Sequence, residues 1–478
     1  MTLPPRGSDL RRGPDPVPWV VAFFLANFFL QRVSVLPNGL LSAATPLVVF
    51  WMIAGLWRGV FVFERRRMTL WLVALGASGL VTVVQLLVVT NPIVSVSSWL
   101  FWMGLWLPII VRANSTTKVD YQRCARGLAL AGAGISSLSV LFLLLQLVGV
   151  SYRDYLGEFL PKAMQVQGFV ISYPIQYGNP IYRSNAWFAL EPSFLSFTLA
   201  VCAMCAIYAR LRPWVFLWIL AGLLATFAGS GLAVLAVAFV VLVVSRQRTL
   251  LLPHLPGLGL IALVVTLTPL QELVFGRVGE VGDANSSSSL RAVEPYLDLW
   301  PDWSRETMGM LAGYGAGSSR AVLDGLSVPG LLVPNIAKML FDYGLLIGVL
   351  LIAVIVAAHV RSPYPALAWG LLASLLTLQA GVQGIVNCVF AAITWWAPAA
   401  LERRRHRGPV KIDDGAGLRP LRDTTVATLA GSGMTRSGSA TPGLTGTVRR
   451  GTGLEPSPLF SESTVGWHQP TWEIGSDR

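Results

Sequence analysis

The stretch RSNAWFALEPSFLSFTLAVCAMCAIYARLR, Arg183–Arg212, decides the fold. Arg183 and Glu191 lie in a polar segment that gives way at Pro192 to an unbroken apolar run, and charge returns only at Arg210 and Arg212. A helix needs about 20 apolar residues to cross the roughly 30 Å hydrocarbon core, and this run fits. The rest of the 478-residue chain repeats the pattern, being 54% hydrophobic and only 13% charged. A soluble globule carries roughly 25% charged residues, so the composition predicts an integral membrane protein.

By the same rule the sequence outlines twelve spans, at about 17–34, 38–57, 68–90, 92–111, 125–150, 190–209, 212–228, 229–245, 254–272, 336–358, 363–380 and 382–400. Pro, Gly or Asn-Pro separates the close pairs, as helix ends require. The predicted class is an all-α polytopic protein with a short N-terminus (1–16), a membrane domain (17–402) and a tail (403–478). The tail, rich in Gly, Ser, Thr, Pro and Arg, cannot bury enough apolar surface to order itself and is expected to be disordered.

The net charge of +12 is mainly a topology signal. Arg58 with Arg65–Arg67, then Arg112, Lys118, Arg123 and Arg126, then Arg210 and Arg212, then Arg246 and Arg248, then Arg361 and finally Arg403–Arg405 occupy alternate turns. Short cytoplasmic turns retain Lys and Arg, which puts both termini inside and argues against nucleic-acid binding. The start of the chain lacks the pattern of a cleaved export signal, so the first apolar segment is expected to stay as an anchor. Two outer segments, about 151–190 and 273–335, are too long for simple connections. In the second, Leu290, Val293, Leu297 and Trp300 recur at helical spacing behind a serine run, predicting a helix along the outer interface.

Several chemistries are disfavoured. Apart from Glu191 and Glu272 at outer ends and Asp342 near one, no ionisable group is expected inside the spans, which counts against an ion-coupled carrier. His254 and His359 fall at inner ends, and His406 and His468 in the tail, so no histidine base or HExxH site is expected outside. Cys202 and Cys205 lie one turn apart in an apolar run without polar co-ligands, and read as packing residues. No metal or cofactor is expected.

What remains outside is arginine and carboxylate. Arg183 belongs to the first loop; Arg277, Arg291, Arg305 and Arg320 belong to the second, with Lys338 nearby. Arginine grips phosphate oxygens through a rigid fork of donors, so a diphosphate at the membrane surface is the natural ligand. For Arg305 and Arg320, pairing with Asp302, Glu306 or other loop carboxylates is an equal alternative. Glu191 has two readings: a carboxylate favoured by the dipole at a helix start, with Pro192 in the first turn, or a base taking a proton from a sugar hydroxyl.

Taken together, these stretches resemble the O-antigen polymerase and O-antigen ligase superfamily of bacterial envelope glycosyltransferases. RSNAWFALEPSF is similar to that family's arginine, aromatic and Glu-Pro-Ser at a span entrance. AGSGLAVLAV (228–237) resembles its small-residue Ser-Gly segment, though without the arginine often found there. SSSLRAVEPYLDLW, LAGYGAGSS and VPNIAKMLFDYGLLIGVLL resemble its large outer loop and loop exit. Pro334 stands where ligase-type members have histidine, which leans toward a polymerase. The resemblance implies a GT-C-like architecture in the cytoplasmic membrane and metal-independent, inverting transfer of a glycan from an undecaprenyl diphosphate carrier. It also implies a chain-length regulator and a flippase as partners. By position, Arg183 and Arg291 would bind diphosphate and Glu191 would organise the site or act as base. Gly313, Gly315 and Gly317 would admit substrate to the backbone, and Asn335 would hydrogen-bond it. A flippase of lipid-linked oligosaccharides and a ligase-like transferase are the alternatives.

Overall fold

The computed structural model describes residues 15–37, 39, 41–89, 93–114, 118–167, 169, 171–175, 179–245, 247–267, 271, 289–326, 331, 333–359, 362 and 364–377. A helix occupies each outlined segment except 382–400, which lies outside the described residues together with the tail. In chain order these are α1 Pro16–Leu30, α2 Ala44–Trp57, α3 Arg65–Val88, α4 Val96–Trp106, α5 Lys118–Leu147, a short α6 Tyr155–Phe159 in the first loop, α7 Pro192–Tyr208, α8 Pro213–Leu224, α9 Gly229–Val244 and α10 Leu255–Leu267. The second loop holds α11 Ser289–Ala292, α12 Glu294–Arg305, α13 Thr307–Ala312 and α14 Ser318–Gly325, and α15 Asn335–His359 and α16 Pro365–Thr377 follow. A two-stranded antiparallel ribbon, β1 Phe61–Phe63 with β2 Val111–Ala113, joins two turns.

Three helices, Arg65–Val88, Tyr121–Leu147 and Asn335–Ala357, are long and apolar enough to cross a membrane. The other apolar helices are shorter than their outlined segments because caps and prolines trim them. Asp15 accepts from the Val17 amide at the start of α1, Ser95 caps α4, and Pro192 and Pro213 open α7 and α8, where a missing N–H is harmless.

The centre of the bundle is α7, buried along its whole length by α5, α8 and α9. Missing side chains make this closeness possible. A Cβ on Gly132 would stand 2.2 Å from Cys202 Cβ, and one on Gly231 would stand 2.3 Å from the Ser196 carbonyl. Cys202 is therefore a packing residue of the α5–α7 contact, as its sequence context predicts. Outward, α16 packs on α9, α15 on α3 and α16, and α1 on α5.

The connections gather at two ends. At one, Ser34 donates to the Met164 carbonyl at 2.7 Å, Ser184 to Ala225 at 3.1 Å and Ser95 to Ala316 at 2.8 Å. These bonds bring both long loops to the same end of the bundle, hereafter the loop end. At the other end Tyr364 donates to the Tyr121 carbonyl, and Tyr208 accepts from the Ala366 amide at 2.9 Å.

Two expectations fail. The segment 336–358 is not one continuous helix: Gly344, at φ 69° and ψ 179°, breaks α15. Nor are the spans free of further ionisable groups, for Arg32 and Lys338 fall within outlined segments and are only 3% and 6% exposed.

Candidate functional site

Arg183 sits in a narrow loop where its amide donates to the Tyr173 carbonyl at 2.8 Å and Ile175 bonds Ile181 at 2.9 Å. Its half-buried guanidinium lies 5.8 Å from the Tyr173 ring centre, with one Nη 3.4 Å from the Ile175 carbonyl. Nε is buried without a hydrogen-bond partner, and among the described residues no carboxylate pairs with this arginine. The guanidinium is thus held in place with donors that no described carboxylate occupies.

The next residues are strained. Ala186 and Trp187 adopt φ 51° and 59°, which non-glycine residues avoid at a cost of order 1–3 kcal/mol. Local bonds hold the turn: Ser184 Oγ accepts from the Ala186 amide and Asn185 Oδ1 from the Trp187 amide. Arg32 completes the clamp, donating to the Trp187 carbonyl at 2.7 Å and to both Asp154 oxygens at 2.8 and 2.6 Å. Nearby, burial and the Asp154 charge push the Tyr152 hydroxyl up to about 12, so it stays neutral. Arg32→Ala leaves Asp154 without its cation and is expected to cost about 2–3 kcal/mol. Faster amide exchange across α6 and 184–188 would register the loss of the clamp.

Glu191 is the N-cap residue of α7 and 7% exposed. It caps by position only, because its side chain accepts no capping bond; instead Ser193 Oγ donates to Glu191 Oε2 at 3.0 Å. Arg183 and Glu191 do not form an ion pair. The Ser-Gly segment locks this corner: Ser230 Oγ donates to the Ser193 carbonyl at 2.8 Å, and Gly231 N to Ser196 Oγ at 3.1 Å.

The second loop closes on the break in α15. Gly313, Gly315 and Gly317 all have positive φ, of 80°, 113° and 89°. Their amides and neighbours serve the broken helix: Tyr314 N bonds the Phe341 carbonyl and Gly315 N the Asp342 carbonyl, each at 3.0 Å, while Gln85 of α3 donates to Asp342 and Ala312 carbonyls at 2.8 and 2.5 Å. The Asp342 carboxylate, fully buried, accepts from Gly317 N at 2.9 Å, Ser319 N at 2.8 Å, Ser318 Oγ at 3.1 Å and Lys338 Nζ at 2.6 Å. It thereby tethers the start of α14 to α15. Gly313 thus admits backbone from α15, Gly315 admits the Ile93 carbonyl and Gly317 lies against Ser95 and Ser98, while Lys338 is committed to a carboxylate.

Asn335 opens α15 and donates to the Leu375 carbonyl at 2.5 Å. Arg305 and Arg320 take the pairing alternative, with Asp302 at 3.3 Å and Asp324 at 2.9 Å, both largely exposed. Exposed pairs of this kind hold weakly. Arg277 lies outside the described residues, as does the side chain of Arg291; the backbone of Arg291 is in α11. On α12, burial and the neighbouring Glu294 raise the Asp298 carboxyl above its ordinary value. Among the described residues no three His, Cys, Asp or Glu side chains group as a metal site requires.

Sequence reading misses Arg32, Asp154, Gln85 and Asp342 as site-shaping residues. For Asp342 a signal exists, the i,i+4 spacing from Lys338; Arg32 and Asp154, 122 positions apart, offer none. The chain matches no known family model and no characterised protein by sequence, so the functional reading rests on these residues alone.

Proposed function

We propose that the protein polymerises lipid-linked oligosaccharide repeat units, acting from the outer face of the cytoplasmic membrane as a twelve-span, GT-C-like glycosyltransferase with both termini inside. The observation that carries the reading is Arg183, a positioned guanidinium without a carboxylate partner among the described residues, at the loop end where the buried Glu191 also lies. In this scheme Arg183 holds the diphosphate of an undecaprenyl-linked glycan. The acceptor hydroxyl attacks the anomeric carbon from the face opposite the diphosphate; the carbon–oxygen bond to phosphate breaks, and the hydroxyl proton passes to Glu191. The leaving diphosphate, stabilised by arginine, departs on its carrier.

A second reading has its own support. The break at Gly344 beside the buried Lys338–Asp342 pair is a feature of carriers, whose discontinuous helices line substrate paths. A flippase of lipid-linked oligosaccharides would use it. Purified protein in vesicles with lipid-linked repeat units separates the two: polymerisation yields a ladder of longer glycans, and flipping moves single units between leaflets without lengthening them. Single units that change leaflet with no ladder would overturn the proposal.

A further inference from the structure

The helices of the second loop leave part of their apolar surface uncovered. α12 turns Tyr296, Leu299 and Trp303 into a small core with Leu323 and Phe341. On its other side Val293, Leu297 and Trp300 remain 39%, 63% and 58% exposed, and on α13 Met308 and Leu311 remain 51% and 38% exposed. The expected interfacial face thus divides, with Leu290 going to the core and Val293, Leu297 and Trp300 to the outside.

Depth decides what this strip meets. The Ala312 carbonyl, at the end of α13, accepts from Gln85, and Gln85 stands about one turn before the end of α3. Beside Gln85 on α3, Leu86 and Leu87 are bare apolar surface of a helix long enough to span. Leu311 lies directly on the break, its carbonyl 2.3 Å from where a Cβ of Gly344 would be. Beyond that break, Leu345–His359 measures about 22 Å at about 1.5 Å per residue, short of the roughly 30 Å core. The break, and α13 packed on it, therefore fall at or inside the hydrocarbon boundary.

From this depth we infer that α12 and α13 are seated in the lipid interface at the loop end, with Leu297, Trp300, Met308 and Leu311 inserted among the lipid chains. Tryptophan is favoured at that level, and the polar edge of α12, Glu294 and Asp298, meets headgroups and water. This seating in lipid holds whether or not the loop transfers sugars.

The test uses full-length protein in phosphatidylcholine–phosphatidylglycerol vesicles, carrying Leu297→Cys, Trp300→Cys or Met308→Cys labelled with bimane, and Ser304→Cys or Asp324→Cys as controls. The native Cys124, Cys202 and Cys205 are buried; Cys388, which lies outside the described residues, is replaced by serine in every protein, and that otherwise unsubstituted chain supplies the background. Nitroxide-bearing lipids are expected to quench the first three positions at least about threefold more than aqueous iodide does, with the order reversed at the controls. Equal iodide quenching at all five positions would overturn the inference. So would a disulfide-linked dimer through Trp300→Cys that abolishes lipid quenching, because the strip would then cover a second copy of the chain. Thermal midpoints near that of the unsubstituted protein confirm that each variant is folded.

Discussion

Replacing Asp342 by alanine is expected to cost about 3–5 kcal/mol and to release the second loop as a unit. The carboxylate is fully buried and holds Lys338, the Ser318 hydroxyl and the amides of Gly317 and Ser319. Its removal leaves an ammonium that is 6% exposed without its anion, and two amides at the start of α14 without acceptors. Asp342→Asn keeps an oxygen for the amides and should fall between wild type and alanine. The paired change Lys338→Met with Asp342→Leu should recover much of the loss, because the larger cost is the stranded charge. Thermal unfolding in detergent, with proteolysis between 313 and 326, measures both effects. An Asp342→Ala protein with wild-type midpoint and protease resistance would show that the tether does not hold the loop.

Gly313→Val ranks next, for a reason of shape. Gly313 has φ 80° and ψ 174°, a region almost closed to residues with a Cβ. A Cβ there would also stand 2.4 Å from Gly344 N and 2.5 Å from the Asp342 carbonyl. Both neighbours are backbone, so neither can rotate away. Strain of about 1–3 kcal/mol adds to overpacking of about 1–3 kcal/mol. Gly325→Ala, with nothing within 4 Å of the new Cβ, is the control and should stay within about 0.5 kcal/mol of wild type. Because Gly313 and Asp342 serve one contact, the double variant should lose less than the sum of the two single losses.

The positions of the helices were legible in the sequence, because apolar length and proline or glycine stops are local signals. The break at Gly344 was not. FDYGLLIG reads as a continuing apolar helix, and the positive φ that interrupts it is supported by Tyr314, Gly315 and Gln85, which lie far away in the chain. The glycine turn was legible as a turn, but its neighbours were not: backbone of α15 lies beside Gly313, Ile93 beside Gly315, and Ser95 and Ser98 beside Gly317. Arg183 stood out from its motif, yet only the fold reveals that no carboxylate among the described residues neutralises it and that Arg32 steadies the turn beside it through Trp187. Charges that interact across long separations leave no pattern that a window of sequence can register.

The most direct measurement is binding of an undecaprenyl-diphosphate-linked repeat unit to purified protein in nanodiscs. If Arg183 holds the diphosphate, Arg183→Ala should raise Kd about 10–100-fold, the loss of hydrogen bonds to a charged group, and Arg183→Lys should restore only part of it because a point charge lacks the fork of donors. The same glycan on a monophosphate carrier should bind weakly and respond little to the substitution. An Arg183→Ala protein that is folded and binds the diphosphate with wild-type Kd would contradict the account.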